Sequence, residues 1–142
     1  MRALCLVFVA SLLTFPVGAA QPRSIVVIDP GHDLHANSAT EPIGPGSSTR
    51  KIKDGGGTRG VVSGLTEAEL NMRVALGVRK LLEAAGIRVV MTRATTSGTS
   101  MGNVARARIA NRAGAALFLR IHADGSTDAR ARGTLTLHPA LR

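Results

Sequence analysis

Three residues of the types that bind zinc are spread along the chain: His32, Glu67 and His122. Two imidazoles and one carboxylate, with a fourth position left for water, form the ligand set of a catalytic rather than a structural zinc site. Because long stretches of sequence separate the three, only a folded structure would bring them together. The set predicts a hydrolase in which zinc activates a water molecule.

The other acidic and histidine residues fit different roles. Glu69 follows Thr66 at the spacing of a capping box, so its carboxylate is expected to serve a helix end and Glu67 is left for the metal. His35 and His138 are expected at the surface. Three aspartates are candidates to orient the imidazoles as hydrogen-bond acceptors: Asp29, Asp33 and Asp124.

The proposed ligands lie at the ends of predicted elements. An apolar, β-branched run at 24–29 predicts a buried strand that ends just before His32. A second apolar strand, 116–123, ends near His122. Glu67 falls in the first turn of a helix that begins after Thr66 and ends at Gly86. The apolar positions of this helix predict one buried face: Leu70, Val74, Val78, Leu81 and Ala85.

The remaining sequence predicts a strand at 87–91, a helix at 103–113 and a last strand at 133–137. The polar, glycine-rich segment 30–64 is expected to be a functional loop, with a short hairpin between 50–53 and 60–62. Alternation of strands and helices predicts an α/β fold with a largely parallel sheet flanked by helices. In such sheets ligands bind beyond the carboxyl ends of the strands, where both histidines fall.

The N-terminal segment 1–20 has the pattern of a secretory signal peptide. Arg2 precedes an apolar stretch, and Gly18-Ala19-Ala20 forms a small-residue cleavage site. The apolar stretch is shorter than the about 20 residues of a membrane-spanning helix. We therefore expect a secreted or periplasmic protein, with no stable membrane anchor after cleavage and a single domain over 21–142.

Composition narrows the choice of function. The only cysteine is Cys5, within the signal segment, so neither disulfides nor thiolate ligands are expected in the mature chain. The net charge of +9 favours anionic partners. The basic residues are scattered along the sequence and not clustered, however, which favours an ordinary solvated surface. Phe118 is the one aromatic residue besides histidine after position 20, which disfavours single-stranded nucleic acid as a partner because no stacking surface is available.

Five short blocks carry a family resemblance: Asp29-Pro30-Gly31-His32, Gly64-Leu65-Thr66-Glu67, Val90-Met91-Thr92-Arg93, Arg108-Ile109-Ala110-Asn111 and Ile121-His122-Ala123-Asp124. In order and spacing they resemble the zinc-dependent N-acetylmuramoyl-L-alanine amidases, above all secreted single-domain mycobacterial-type members. The resemblance covers about residues 24–137. It implies that His32, Glu67 and His122 hold the zinc. It also implies a peptidoglycan substrate, cleaved between the muramic acid lactyl group and L-alanine.

Two positions depart from the family pattern. Arg120 stands where the family generally has serine, and strand alternation places it on the face of His122. There it would either weaken the metal site or hold an anionic substrate. The family's catalytic glutamate is expected beyond Arg142, so no catalytic residue is assigned. The sequence therefore predicts an amidase domain truncated before its last strand and helix, or else a catalytically impaired peptidoglycan- or zinc-binding remnant.

Overall fold

The computed structural model describes residues 24–96 and 100–139. The predicted signal peptide lies outside this range. In chain order the elements are β1 (Ile25–Pro30), β2 (Asn37–Pro42), β3 (Arg50–Asp54), α1 (Glu67–Ala84), β4 (Arg88–Met91), α2 (Asn103–Ala113) and β5 (Leu117–Ile121). None of the described helices is both long enough and apolar enough to cross a bilayer.

Strand β1 is the centre of a three-stranded sheet in the order β4-β1-β5, and both pairings are parallel. Its apolar residues Val26, Val27 and Ile28 are buried. A strand that is covered on both faces needs such a continuous apolar run. The predicted α/β fold with a parallel sheet is confirmed.

The two helices cover opposite faces of this sheet. Val26 and Ile28 pack against Ala75 of α1. Asp29, on the other side of the strand, contacts Arg106 of α2. Successive strand residues point to opposite faces, so each helix covers one of them. The layer arrangement leaves the carboxyl edge of the sheet open between the helices.

Helix α1 begins as predicted, but a different face is buried. Thr66 and Glu69 form the capping box, and Gly86 adopts the left-handed conformation after the helix. Of the predicted stripe, Val78 packs against the core, whereas Leu70, Val74 and Leu81 are exposed. The face toward the sheet instead contains Glu67, Ala68, Asn71, Met72 and Ala75. The polar contacts that Glu67 and Asn71 make below the sheet edge fix this rotation of the helix.

The segment after β1 forms an antiparallel hairpin of β2 and β3. The prediction was right that 50–53 is a strand and wrong about its partner, which is Asn37–Pro42 and not 60–62. The predicted strand at 133–137 is also wrong: these residues form no strand in the described structure. Their alternation of threonine and leucine suits a strand, but a strand needs a neighbour to pair with, and none of the described strands pairs with them.

Candidate metal centre

His32, Glu67 and His122 meet at the carboxyl edge of the sheet. Their candidate ligand atoms all lie within 4.8 Å of one another. Glu67 Oε1 is 3.6 Å from His32 Nε2 and 3.1 Å from His122 Nδ1. The imidazole rings are 4.9 Å apart and nearly perpendicular. The fold thus brings together all three residues that the sequence selected.

His32 follows β1 after a tight bend of the backbone. Its φ of 58° lies in the left-handed region, which histidine adopts more readily than most residues. Asp54, at the end of β3, places Oδ1 2.6 Å from His32 Nδ1. A carboxylate accepts here, so Nδ1 carries the proton and the lone pair of Nε2 faces the cluster.

Asp54 is held in turn by its surroundings. The backbone N–H of Gly56 donates to Oδ1 and that of Asp33 to Oδ2. Burial raises the pKa of Asp54, but the hydrogen bonds with His32, Gly56 and Asp33 outweigh it and hold the pKa below its usual value. The acceptor of the His32 ring is therefore anionic at neutral pH.

Glu67 is buried and fully hydrogen-bonded. The Ala123 N–H donates to Oε1, and the Thr58 N–H donates to Oε2. Burial alone would raise the pKa of Glu67; these backbone donors and the two nearby imidazoles outweigh it and lower the pKa to about 2. A carboxylate that stays charged inside the protein is suited to binding a cation.

His122 follows the last residue of β5 and lies directly against Gly31. A Cβ atom at Gly31 would overlap the imidazole ring of His122. The Gly31 N–H also donates to Ile121 O at 2.8 Å, which fixes the two chain segments side by side. The absence of a side chain at this position is what lets His122 reach the cluster.

Two buried arginines hold the backbone under the cluster. Arg93 donates to the carbonyl oxygens of Pro30, Gly31 and Ala68, so it ties the end of β1 to α1. Arg106 of α2 forms ion pairs with Asp29 and Asp33 at 2.7 and 2.8 Å. These contacts connect the end of β1 to both helices and so hold the backbone that carries His32.

The structure gives the other candidates different roles. The aspartate that orients His32 is Asp54, whereas Asp29 and Asp33 pair with arginines. Asp124 is exposed and has no hydrogen bond or ion pair within the described ranges. His35 and His138 are exposed, as predicted. Asp54 was missed because it sits in a polar, glycine-rich stretch with no periodicity that would mark it.

A cavity of about 310 Å³ opens beside the cluster, and His32 and His122 form part of its wall. Arg120 lies in the same wall, as strand alternation predicted. Its Nε is 2.9 Å from Asp29 Oδ2, an ion pair without hydrogen-bond geometry. Its Nη2 donates to Asn103 Oδ1 at 3.0 Å.

The fold and the site together define an α/β protein with a parallel sheet. The carboxyl edge of this sheet carries a candidate metal centre of two histidines and a glutamate. Residues 26–140 match the family described as N-acetylmuramoyl-L-alanine amidase. The chain belongs to this family. No curated protein sequence shows significant similarity to the chain.

Solved amidase structures share the fold. The apo form of the N-acetylmuramyl-L-alanine amidase Ami1 from Mycobacterium abscessus is 30% identical, with a TM-score of 0.66 over 72% of this chain and 49% of that chain. Ami1 from Mycobacterium smegmatis is 29% identical, with a TM-score of 0.67 over 75% of this chain and 49% of that chain. The catalytic domain of CwlV, an N-acetylmuramoyl-L-alanine amidase from Paenibacillus polymyxa, is 27% identical, with a TM-score of 0.54 over 76% of this chain and 49% of that chain. The chain spans about half the length of these structures.

Proposed function

We propose that the chain is a zinc-dependent N-acetylmuramoyl-L-alanine amidase, in which His32, Glu67 and His122 hold the metal. The bond cleaved is the amide between the lactyl group of muramic acid and the L-alanine of the peptidoglycan peptide. The convergence of the three ligand atoms within 4.8 Å carries this proposal. Membership of the amidase family supports it.

The donor set suits zinc. Two imidazole nitrogens and one carboxylate oxygen are common zinc ligands, and a fourth position remains for water in catalytic sites. Glu67 is ionised, and the proton on Nδ1 of His32 leaves Nε2 free to coordinate. When bound, zinc lowers the pKa of a bound water to about 7 and polarises the carbonyl of the scissile amide.

The chain's own residues supply orientation and charge. Asp54 fixes the tautomer and direction of His32. The backbone donors of Thr58 and Ala123 keep Glu67 in place, and Asn71 lies 3.5 Å from its Oε1. A ligand set that is held in this way does not need to reorganise when a metal binds.

The proton shuttle for the leaving amine has no assigned residue. Among the described residues, Asp54 is the one carboxylate outside the cluster that forms a hydrogen bond or ion pair with it. General acid–base catalysis contributes about 10²–10⁴ in rate, and an amine leaves poorly unless it is protonated. This observation supports a second candidate function, a catalytically impaired domain that binds zinc and peptidoglycan.

Zinc content tests the metal site. The recombinant chain is expected to bind about one zinc per molecule, and His122→Ala to lose most of it, as measured by mass spectrometry of the metal. His138→Ala is the matched control, because this histidine is exposed and far along the chain from the cluster. Equal zinc content in wild type and His122→Ala would refute the assignment.

An amidase assay separates the two candidate functions. Zinc-loaded chain is incubated with purified muropeptides, and release of the L-alanyl peptide is followed by mass spectrometry. Release that disappears in His122→Ala supports the amidase. Zinc binding without release supports the impaired domain.

Secretion and a cell-wall location belong to the same proposal. The predicted signal peptide at 1–20 and the domain at 21–142 remain predictions, and a peptidoglycan substrate requires access to the wall. The basic character of the chain, with a net charge of +9, suits an anionic polymer.

A further inference from the structure

The cavity beside the cluster is lined by more cationic than anionic side chains. Four of its lining residues carry a positive charge, and one, Asp54, carries a negative charge. The four are Lys51, Lys53, Arg106 and Arg120.

These cations differ in how far they are already engaged. Arg106 is buried and held by two aspartates. Lys51 pairs with Glu41 at 3.2 Å. Within the part of the chain that the structure describes, no ion pair or hydrogen bond engages the ammonium group of Lys53. Arg120 pairs through Nε with the buried Asp29 at 2.9 Å and donates one hydrogen bond through Nη2, which leaves three of its five N–H groups without a partner among those residues.

Burial adds to the asymmetry of charge. The acids around the cavity are buried: Asp29, Asp33 and Glu41 are at most 4% exposed, and Asp54, which lines the cavity, is 6% exposed. The side chains of Arg120 and Lys51, by contrast, are 34% and 35% exposed. The carboxylates are therefore buried within the wall of the cavity, whereas the side chains of Arg120 and Lys51 are accessible from its opening.

We propose that this cavity is a carboxylate-binding subsite, in which Lys53 and Arg120 receive an acidic group on the peptide side of the scissile amide. The proposal rests on the proposed amidase function and adds a substrate feature to it. A guanidinium fork matches the two oxygens of a carboxylate, and a neighbouring ammonium adds a point charge. At about 310 Å³ the cavity is at the small end of ligand sites. It fits one acidic side chain, not a polymer backbone.

The test uses two synthetic probes that differ in one group: N-acetyl-L-alanyl-L-glutamate α-amide and N-acetyl-L-alanyl-L-glutamine α-amide. The first ends in a carboxylate and the second in a carboxamide of the same shape. Each is titrated into the ¹⁵N-labelled full chain, and binding is followed by NMR chemical shifts, which detect millimolar affinities. Metal is first removed with EDTA, and the EDTA is then removed by dialysis, so that neither a metal nor another carboxylate competes with the probe.

We expect the carboxylate probe to bind about tenfold more tightly, with shifts centred on the backbone of Lys53 and Arg120. The preference should shrink as salt is raised, because the interaction lies close to solvent. Lys53→Gln and Arg120→Gln should each weaken carboxylate binding about fivefold and change carboxamide binding less than twofold. Lys80→Gln, an equal change of charge on the exposed side of α1, should alter neither.

Arg120→Lys separates loss of charge from structural damage. Because it retains the positive charge, it should keep at least half of the preference for the carboxylate probe over the carboxamide probe. Equal affinity for the two probes, absence of shifts around the cavity, or equal losses for both probes in Lys53→Gln would overturn the subsite. Zinc content is measured separately on the same variants after they have been loaded with zinc. If the chain binds zinc but does not prefer the carboxylate probe, only the subsite is refuted. If it prefers the carboxylate probe but binds no zinc, only the proposed amidase function is refuted.

Discussion

Gly31 shows how one missing side chain shapes the site. A methyl group there would overlap the His122 ring. We predict that Gly31→Ala displaces this ring and lowers zinc affinity by about tenfold or more, in line with the sensitivity of ligand sets to shifts of about 0.5 Å.

Competition of the protein against a chelator of known affinity measures the effect of Gly31→Ala. Gly44→Ala is the control, since nothing lies within 4 Å of a Cβ at that position. If Gly31→Ala retains wild-type affinity, then His122 is not a ligand or the loop moves freely.

Asp54 acts on the metal through His32. Asp54→Asn would keep the size of the side chain but remove the charge that fixes the proton on His32 Nδ1. Loss of such a partner lowers metal affinity by about 10–100-fold. The same chelator competition measures it, with Asp128→Asn, an exposed aspartate near Arg130, as control. Similar affinities for the two variants would show that orientation of His32 does not depend on this carboxylate.

The sequence predicted the location of residues that lie at the end of a strand or at the start of a helix. His32 and His122 follow apolar strands, and Glu67 opens a capped helix, so topology alone brought them to one edge. Asp54 and Thr58 lie in a glycine-rich stretch whose path depends on contacts with distant residues, such as the 65-residue separation between Thr58 and Ala123. Local pattern carries no information about such contacts.

At the scale of elements, the hairpin caps a helix. Gly102 precedes α2 and offers no side-chain cap. The carboxylate of Glu41, from β2, accepts hydrogen bonds from the N–H groups of Asn103 and Val104 at 2.6 and 3.1 Å. A buried acid from another element thus accepts hydrogen bonds from two of the four unpaired N–H groups of the helix, and its negative charge interacts favourably with the helix dipole.

We predict that Glu41→Gln lowers the free energy of unfolding by about 1 kcal/mol at pH 7, the usual value of a helix cap. Burial raises the pKa of Glu41, but the N–H groups of Val104 and Asn103 and the ammonium of Lys51 outweigh it and lower the pKa below 4.5. The stabilisation is therefore present above pH 4.5 and is lost as the pH falls through the lowered pKa.

Urea denaturation of zinc-free protein at pH 7 and pH 3 measures the effect of Glu41→Gln. The difference from wild type should be smaller at pH 3. Glu83→Gln, which breaks an exposed pair with Arg79, should have little effect at either pH. An equal difference at both values of pH would mean that the charge of Glu41 does not matter.

The rotation of α1 shows why a helix can be predicted while its buried face is missed. Two apolar stripes compete: the predicted one, which has Leu70, Val74, Val78, Leu81 and Ala85, and the buried one, which has Ala68, Met72 and Ala75. Val78 lies at the border of the two and is partly buried against the core. Counting hydrophobic residues favours the first. The second is buried because Glu67 must face the cluster and Asn71 donates to Gly31 O. Polar contacts that are invisible to periodicity decided the orientation.

At the scale of the whole molecule, that rotation leaves apolar surface uncovered in the described structure. Leu70, Val74 and Leu81 of α1 are 38%, 43% and 72% exposed. They follow one another along the helix at intervals of four and seven residues, so they form a stripe. Contiguous exposed apolar surface binds hydrophobic dyes and promotes association.

We predict that the chain binds the dye ANS in its folded state and associates at high concentration. The double substitution Val74→Lys and Leu81→Lys should remove most of the ANS fluorescence and raise solubility, with zinc content and melting temperature nearly unchanged, because neither side chain contributes to the core. Val61→Lys, at an almost fully exposed loop position, is the control and should leave dye binding intact. A monomeric wild-type chain without ANS fluorescence would show that this stripe is covered in solution, and the loss of zinc in the double variant would show that the stripe supports the site.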